Sequence, residues 1–272
     1  MVRTGALVRA VFICILAAVV AVTSACGGDE PDSTPTTSAA GDSIADLAPP
    51  PAQRCRKADD GTVTKVVVTA SDGTELAGAA WGEGERGVVL LPQRGGDLCG
   101  YWDYAGELAA AGFHLLAIDF RRSGLSESAP VADLTLDAVA AVEWLKAADA
   151  TSVVLLGASM GATTAMVTAG RHPDLVSGVV SLSLPPAIDV TDGNGPEPTT
   201  AEAAAPLIDV PLLMAWADRD TGAVDPQPLV DASPAADRSV VTRPGPSHGW
   251  SMLREGEADV RPDVLAFLEL HS

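Results

Sequence analysis

The chain has 272 residues, 47% of them apolar, which is ample material for a buried core; its four cysteines are too few for a disulfide-framed miniprotein. With 36 acidic side chains against 17 basic ones it carries a formal charge of −19, which argues against nucleic acid as a partner, because gripping phosphates needs clustered cations. No Cys-x-x-Cys pair or Cys/His cluster occurs, which argues against a structural zinc site.

Arg3 and Arg9 make a basic start, and residues 10–23 follow without a charge. That run falls short of the roughly 20 apolar residues that span a bilayer and suits the core of a signal peptide. Ser24, Ala25 and Cys26 come next. This end resembles the bacterial lipobox, with Thr23 standing where an aliphatic residue is usual. The resemblance implies that residues 1–25 are a signal peptide and that Cys26 is lipidated. A secretory peptide cleaved nearby, or an uncleaved anchor, are the alternatives. Residues 26–54 are rich in Gly, Ser, Thr, Pro, Ala and Asp and cannot bury enough apolar surface to offset ordering entropy. They read as a disordered tether ahead of a domain at 55–272. Losing Arg3 and Arg9 with the leader takes the formal charge from −19 to −21. Anionic lipid repels such a surface, so a covalent lipid anchor is the expected tie to the membrane, on its extracytoplasmic side. Secretion is the alternative. An exported compartment permits disulfides. With Cys14 in the leader and Cys26 taken by lipid, Cys55 and Cys99 are left to pair; two buried free thiols are the other reading.

From Cys55 onward strands and helices alternate. Val63–Thr69 and Leu76–Trp81 flank Ser71-Asp72-Gly73-Thr74 and predict a hairpin. Gly87–Leu91 is a short apolar run of the kind buried on both faces of a sheet. A helix is expected over Tyr101–Ala111, stopped by Gly112, then a strand over His114–Asp119. Leu134–Ala148 carries a helical apolar stripe. Val153–Leu156 is a strand and Ala162–Gly170 a helix. Val176–Leu184, Val210–Ala217 and Arg238–Arg243 continue the strands, and Pro262–Leu270 closes the chain as a helix. This alternation predicts an α/β fold with a mainly parallel sheet and helices on both faces.

Between the strand at Val153 and the helix at Ala162 stands Gly157-Ala158-Ser159-Met160-Gly161. Gly-x-Ser-x-Gly in that context fits a nucleophile elbow: a sharp turn that lifts a serine hydroxyl above the carboxyl end of the sheet, with small neighbours so that strand and helix approach. A lone hydroxyl is a weak nucleophile and needs a base, itself oriented by an acid. Of the four histidines, His114 lies in a strand, His172 at a helix end and His271 one residue from the terminus. His248 alone follows a strand's carboxyl end, in Pro246-Ser247-His248-Gly249-Trp250. The strand at Leu212–Ala217 runs into Asp218 and Asp220, either within reach of His248. Asp220, further into the loop, is the candidate, leaving Asp218 as a carboxylate at the surface or one that supports the site from behind.

These segments resemble the α/β-hydrolase superfamily over residues 63–270. Asp119-Phe120-Arg121-Arg122-Ser123-Gly124-Leu125-Ser126 looks like that family's Asp-x-Arg-Gly-x-Gly-x-Ser turn. Trp216-Ala217-Asp218-Arg219-Asp220 looks like its Gly-x-x-Asp acid turn, which favours Asp220. Ser247-His248-Gly249 looks like its histidine loop. The order Ser159, Asp220, His248 is the family's order. The resemblance implies an α/β-hydrolase fold and a serine hydrolase, foremost a carboxylesterase, with thioesterase, lipase-like, peptidase or acyltransferase activity on the same machinery. The substrate is then a small ester-type molecule, and no metal or cofactor is required. Where the family has His-Gly-x after its first buried strand, this chain has Pro92-Gln93-Arg94-Gly95-Gly96. The oxyanion hole then draws on the backbone N–H of Met160 and of Gln93 or Arg94. Arg94 is expected to pair with Asp97; its alternative is an anionic substrate. Residues 185–209 allow a loop and one short helix, hence a short lid over an open site. Tyr101, Trp102, Trp216 and Trp250 line a pocket or belong to the core. The rival to an enzyme is a catalytically weak or inactive binding lipoprotein on the same fold, for which the Pro92-Gln93 departure speaks.

Overall fold

The computed structural model describes Ile44 and residues 49–58, 61–129, 131–191, 193 and 198–272. The expected leader, Cys14 and the lipidation site Cys26 lie outside the described residues.

A short helix α1 (Pro51–Arg54) precedes the sheet. Its Pro51 and Ala52 are buried, so the boundary expected at Cys55 falls inside a packed turn, and the end of the expected tether is part of the domain. Strands β1 (Val63–Thr69) and β2 (Glu75–Trp81) form the predicted hairpin. Then come β3 (Arg86–Leu91), α2 (Trp102–Ala110), β4 (His114–Ile118), α3 (Thr135–Ala147), β5 (Ser152–Ala158), α4 (Met160–Arg171) and β6 (Gly178–Leu182). After α5 (Ala201–Ala204) follow β7 (Leu212–Ala217), α6 (Gln227–Ala232), β8 (Arg238–Arg243) and α7 (Arg261–His271).

The strands make one eight-stranded sheet in the order β1-β2-β4-β3-β5-β6-β7-β8. The β1–β2 and β2–β4 pairs are antiparallel and the rest parallel. The central strands are buried along their length, as continuous apolar runs covered on both faces require. Alternate side chains feed two cores. Val89, Leu91 and Leu155 pack with Ala141 and Val142 of α3 and Ala162 and Met166 of α4. Val88, Leu90, Val154 and Leu156 pack with Leu108 of α2 and Val264 and Leu268 of α7. β4 lies on one side of β3 and β5 on the other. The order of connection therefore reverses at β3, and the carboxyl ends of β3 and β5 mark the crevice position at which open α/β sheets take their ligands.

Candidate active site

Ser159 stands in that crevice. It joins β5 directly to α4 with φ 51° and ψ −114°, a left-handed backbone that costs a non-glycine residue free energy. The neighbours show why the turn demands small residues. A Cβ on Gly157 would lie 2.1 Å from Gly161 O, and one on Gly161 would lie 2.2 Å from Leu91 O. Strand, helix and the end of β3 therefore meet at backbone distance. The Ser159 N–H donates to Leu182 O at 2.9 Å and fixes the turn to β6.

Asp220 lies in the loop after β7 and is 6% exposed. Its Oδ1 accepts the Gly222 N–H at 2.9 Å. The ring of His248 meets both carboxylate oxygens, Nδ1 lying 2.8 Å from Oδ2 and 3.0 Å from Oδ1. His248 is held by its own loop. Its N–H donates to Ser251 Oγ at 2.9 Å, and the Ser251 hydroxyl donates back to His248 O at 2.8 Å. Asp218, by contrast, faces solvent, accepts the Gly245 N–H at 2.9 Å and lies 3.7 Å from Arg219. Of the two carboxylates ending this strand, the structure brings Asp220 to the imidazole. No hydrogen bond joins Ser159 Oγ to His248 among the described residues; such contacts are often long in a ligand-free site and tighten around substrate.

The turn after β3 closes the other side. Gly96 N–H donates to Gln93 O at 3.0 Å, with Gly95 at φ +72°. The N–H groups of Gln93 and Arg94 make no hydrogen bond among the described residues, and that of Met160, first in α4, has no intrahelical acceptor. All three are open donors around the serine turn. Gln93 Oε1 is buried without a hydrogen-bond partner and rests on Gly249, where a Cβ would stand 2.2 Å from it. Gly249, at φ +57°, thus lets the histidine loop close onto this turn. Arg94 is exposed and makes no ion pair among the described residues. The expected Arg94–Asp97 pair does not form, because Arg54 takes Asp97 at 3.1 Å.

Cys55 and Cys99 are joined as a disulfide. The aromatic side chains are chiefly packing. Tyr101 is fully buried, donates to Leu91 O at 2.8 Å and has its pKa pushed far up by burial, which keeps the hydroxyl neutral. Trp250 stacks edge-on against Tyr101 and Trp102 against Trp81. Trp216 Nε1 donates to Thr242 at 3.1 Å. Of the remaining histidines, His114 is buried against Trp144 and His271 meets Asp237 at 2.9 Å. No group of three His, Cys, Asp or Glu side chains is placed to hold a metal ion among the described residues.

A sequence profile described as alpha/beta hydrolase fold matches residues 88–203, which hold the turn after β3 and the serine elbow. The chain has the α/β-hydrolase fold. Solved members of this fold are similar to it along most of its length. An esterase from Pyrococcus furiosus is 18% identical with a TM-score of 0.65, over 82% of this chain and 94% of that one. An esterase from Exiguobacterium antarcticum is 15% identical with a TM-score of 0.62, over 76% of this chain and all of that one. The enol-lactonase from Burkholderia xenovorans is 21% identical with a TM-score of 0.60, over 75% of this chain and all of that one. No curated protein matches the chain.

Sequence reasoning missed two residues around this site. Arg54 lay in the expected tether, yet its guanidinium sits 2.6 Å from the fully buried Asp119. Burial alone would favour the neutral guanidine; the hydrogen bond and charge of Asp119, with Asp97 beside it, hold its pKa above the ordinary value. The other is the Gln93 side chain, whose packing on Gly249 spans 156 residues of sequence and leaves no local pattern.

Proposed function

We propose that the chain is an exported, lipid-anchored serine hydrolase that cleaves small carboxylic esters. The reading is carried by the His248–Asp220 contact at the mouth of a crevice where Ser159 occupies a strained elbow. With Nδ1–H donating to Asp220, the Nε2 lone pair is free to act as the base. Nε2 takes the Ser159 proton as Oγ bonds the ester carbonyl carbon, and the carbonyl electron pair moves onto oxygen. The N–H groups of Met160 and of Gln93 or Arg94 stabilise that oxyanion. Collapse expels the alcohol, protonated by His248, and leaves an acyl-enzyme. Water, deprotonated by His248, then releases the acid. The esterases and the lactonase of the same fold support ester chemistry, and the short connection between β6 and β7 supports small substrates. The basic start at Arg3 and Arg9, the uncharged run over residues 10–23 and Cys26 after it support the anchor.

A fluorophosphonate probe on the full chain tests the reading. Wild type is expected to label, and Ser159→Ala and His248→Ala to remain blank. Asp220→Asn is expected to lower turnover of a p-nitrophenyl ester by about 10⁴. A folded wild type that neither labels nor turns over would mean a silent scaffold that serves as a binding lipoprotein. Incorporation of a palmitate analogue that disappears in Cys26→Ser tests the anchor.

A further inference from the structure

Two consecutive residues ahead of the sheet are tied to one short loop, twice directly and once through Asp119. Arg54, at the end of α1, meets Asp119 Oδ2 at 2.6 Å and Asp97 Oδ2 at 3.1 Å. Cys55 is bonded to Cys99. The two carboxylates are also tied to that loop. Asp97 Oδ1 accepts the Cys99 N–H at 3.0 Å, and Asp119 Oδ1 accepts the Leu98 N–H at 3.0 Å. Residues 97–99 directly follow the turn that carries the Gln93 and Arg94 N–H groups. On its other side the loop is pressed by Trp250, two residues after His248. A Cβ on Gly96 or Gly100 would lie 1.9 Å or 2.3 Å from that ring.

The turn needs such restraint. It contains Gly95 and Gly96, which leave its backbone soft, and its Gln93 Oε1 has no hydrogen-bond partner. An oxyanion donor works only at about 2.7–3.1 Å from the developing charge, and a misplacement of about 1 Å costs on the order of 10²-fold. We propose that Arg54, together with the Cys55–Cys99 bond, positions the oxyanion turn, so that the segment joining the domain to its N-terminal tether sets the strength of transition-state binding. Arg54 touches no substrate; it acts through Asp97 and Asp119. The proposal rests on the hydrolase reading above.

Asp97→Asn in the full, disulfide-bonded chain is the discriminating variant. It removes the loop-side charge, keeps an oxygen for the Cys99 N–H and leaves the buried Arg54–Asp119 pair whole. Three quantities are read: kcat and KM on p-nitrophenyl butyrate, the inhibition constant of a trifluoromethyl ketone, and Tm. The ketone adds Ser159 Oγ and places an oxyanion in the hole. The expected result is a loss of about tenfold in both kcat and ketone affinity, with KM and Tm unchanged and partial recovery in Asp97→Glu. Equal kcat and ketone affinity in wild type and Asp97→Asn would overturn the proposal, as would a kcat loss without a matching loss of ketone affinity. If Asp97→Asn does not fold, wild type with the Cys55–Cys99 bond reduced under native conditions is read the same way. An inert wild type overturns the hydrolase reading and this one with it; an active wild type equalled by the variant overturns this one alone.

Discussion

The serine elbow and the turn after β3 face each other across the crevice and are stabilised by opposite means. The elbow is held from within. Gly157 and Gly161 let β5, α4 and the end of β3 meet at backbone distance, and buried strands on either side leave the turn no other course. The turn after β3 has two glycines and an unsatisfied side-chain oxygen, and its anchors come from elsewhere: Arg54 and Cys55 on one side, Trp250 on the other. Local sterics make the elbow rigid wherever the sheet forms. Long-range ties hold the turn only while they last, so damage at a distance reaches the N–H groups of Gln93 and Arg94 before it reaches the serine.

Removing the disulfide is the largest test of that contrast. The bond closes a loop between residues 44 apart. In the chain-entropy view, Cys55→Ala with Cys99→Ala destabilises the domain by about 4 kcal/mol. At about 2–4 °C per kcal/mol for a domain of this size, differential scanning calorimetry is expected to read a Tm roughly 8–16 °C lower. In the fraction that remains folded, fluorophosphonate labelling still depends on Ser159 but runs more slowly. Equal labelling rates with and without the bond would mean that the turn holds its shape unaided.

This contrast also explains what the sequence made legible. The elbow was readable because its determinants lie within five residues, Gly157 to Gly161, between a short apolar run and a helix. The buried strands were readable for the same reason, with ends displaced by a residue or two. His248 and Asp220 were reached through their places after strand ends, a rule of this architecture. The partner of Asp97 was not readable. Arg94 is three residues away and Arg54 is 43 away, and sequence proximity favoured the wrong one; the choice was decided by the packing of α1, whose composition resembles a tether. Gln93 against Gly249 escaped for the same reason.

The elbow can be attacked directly and with a smaller effect. Gly161→Ala puts a methyl 2.2 Å from Leu91 O, and a strand backbone in mid-sheet cannot yield. Overpacking of this kind costs roughly 1–3 kcal/mol. It also pushes α4, and with it the Met160 N–H, away from the turn after β3, so turnover is expected to fall along with Tm. Gly106→Ala in α2 is the matched control. A Cβ there meets nothing within 4 Å, and the helix gains up to about 1 kcal/mol from the better helix former. If both variants lowered Tm alike, close approach at the elbow would not be what holds it.

The smallest effect separates two carboxylates on one loop. Asp218 and Asp220 are two residues apart, and both serve the histidine side of the crevice, but by different routes. Asp220 is buried and touches the imidazole; Asp218 is half-exposed and holds the backbone of Gly245, three residues before His248. In Asp218→Asn the amide oxygen can still accept the Gly245 N–H, and what is lost is an exposed ion pair with Arg219, which is worth at most about 1 kcal/mol. Ester turnover by Asp218→Asn is therefore expected to stay within about fivefold of wild type, while Asp220→Asn suffers its large loss. A steady-state comparison of the two variants reads this directly. A severe loss in Asp218→Asn would mean that the histidine loop, like the turn opposite, depends on a tie outside itself, and both walls of the crevice would then be held at a distance around a single locally rigid serine.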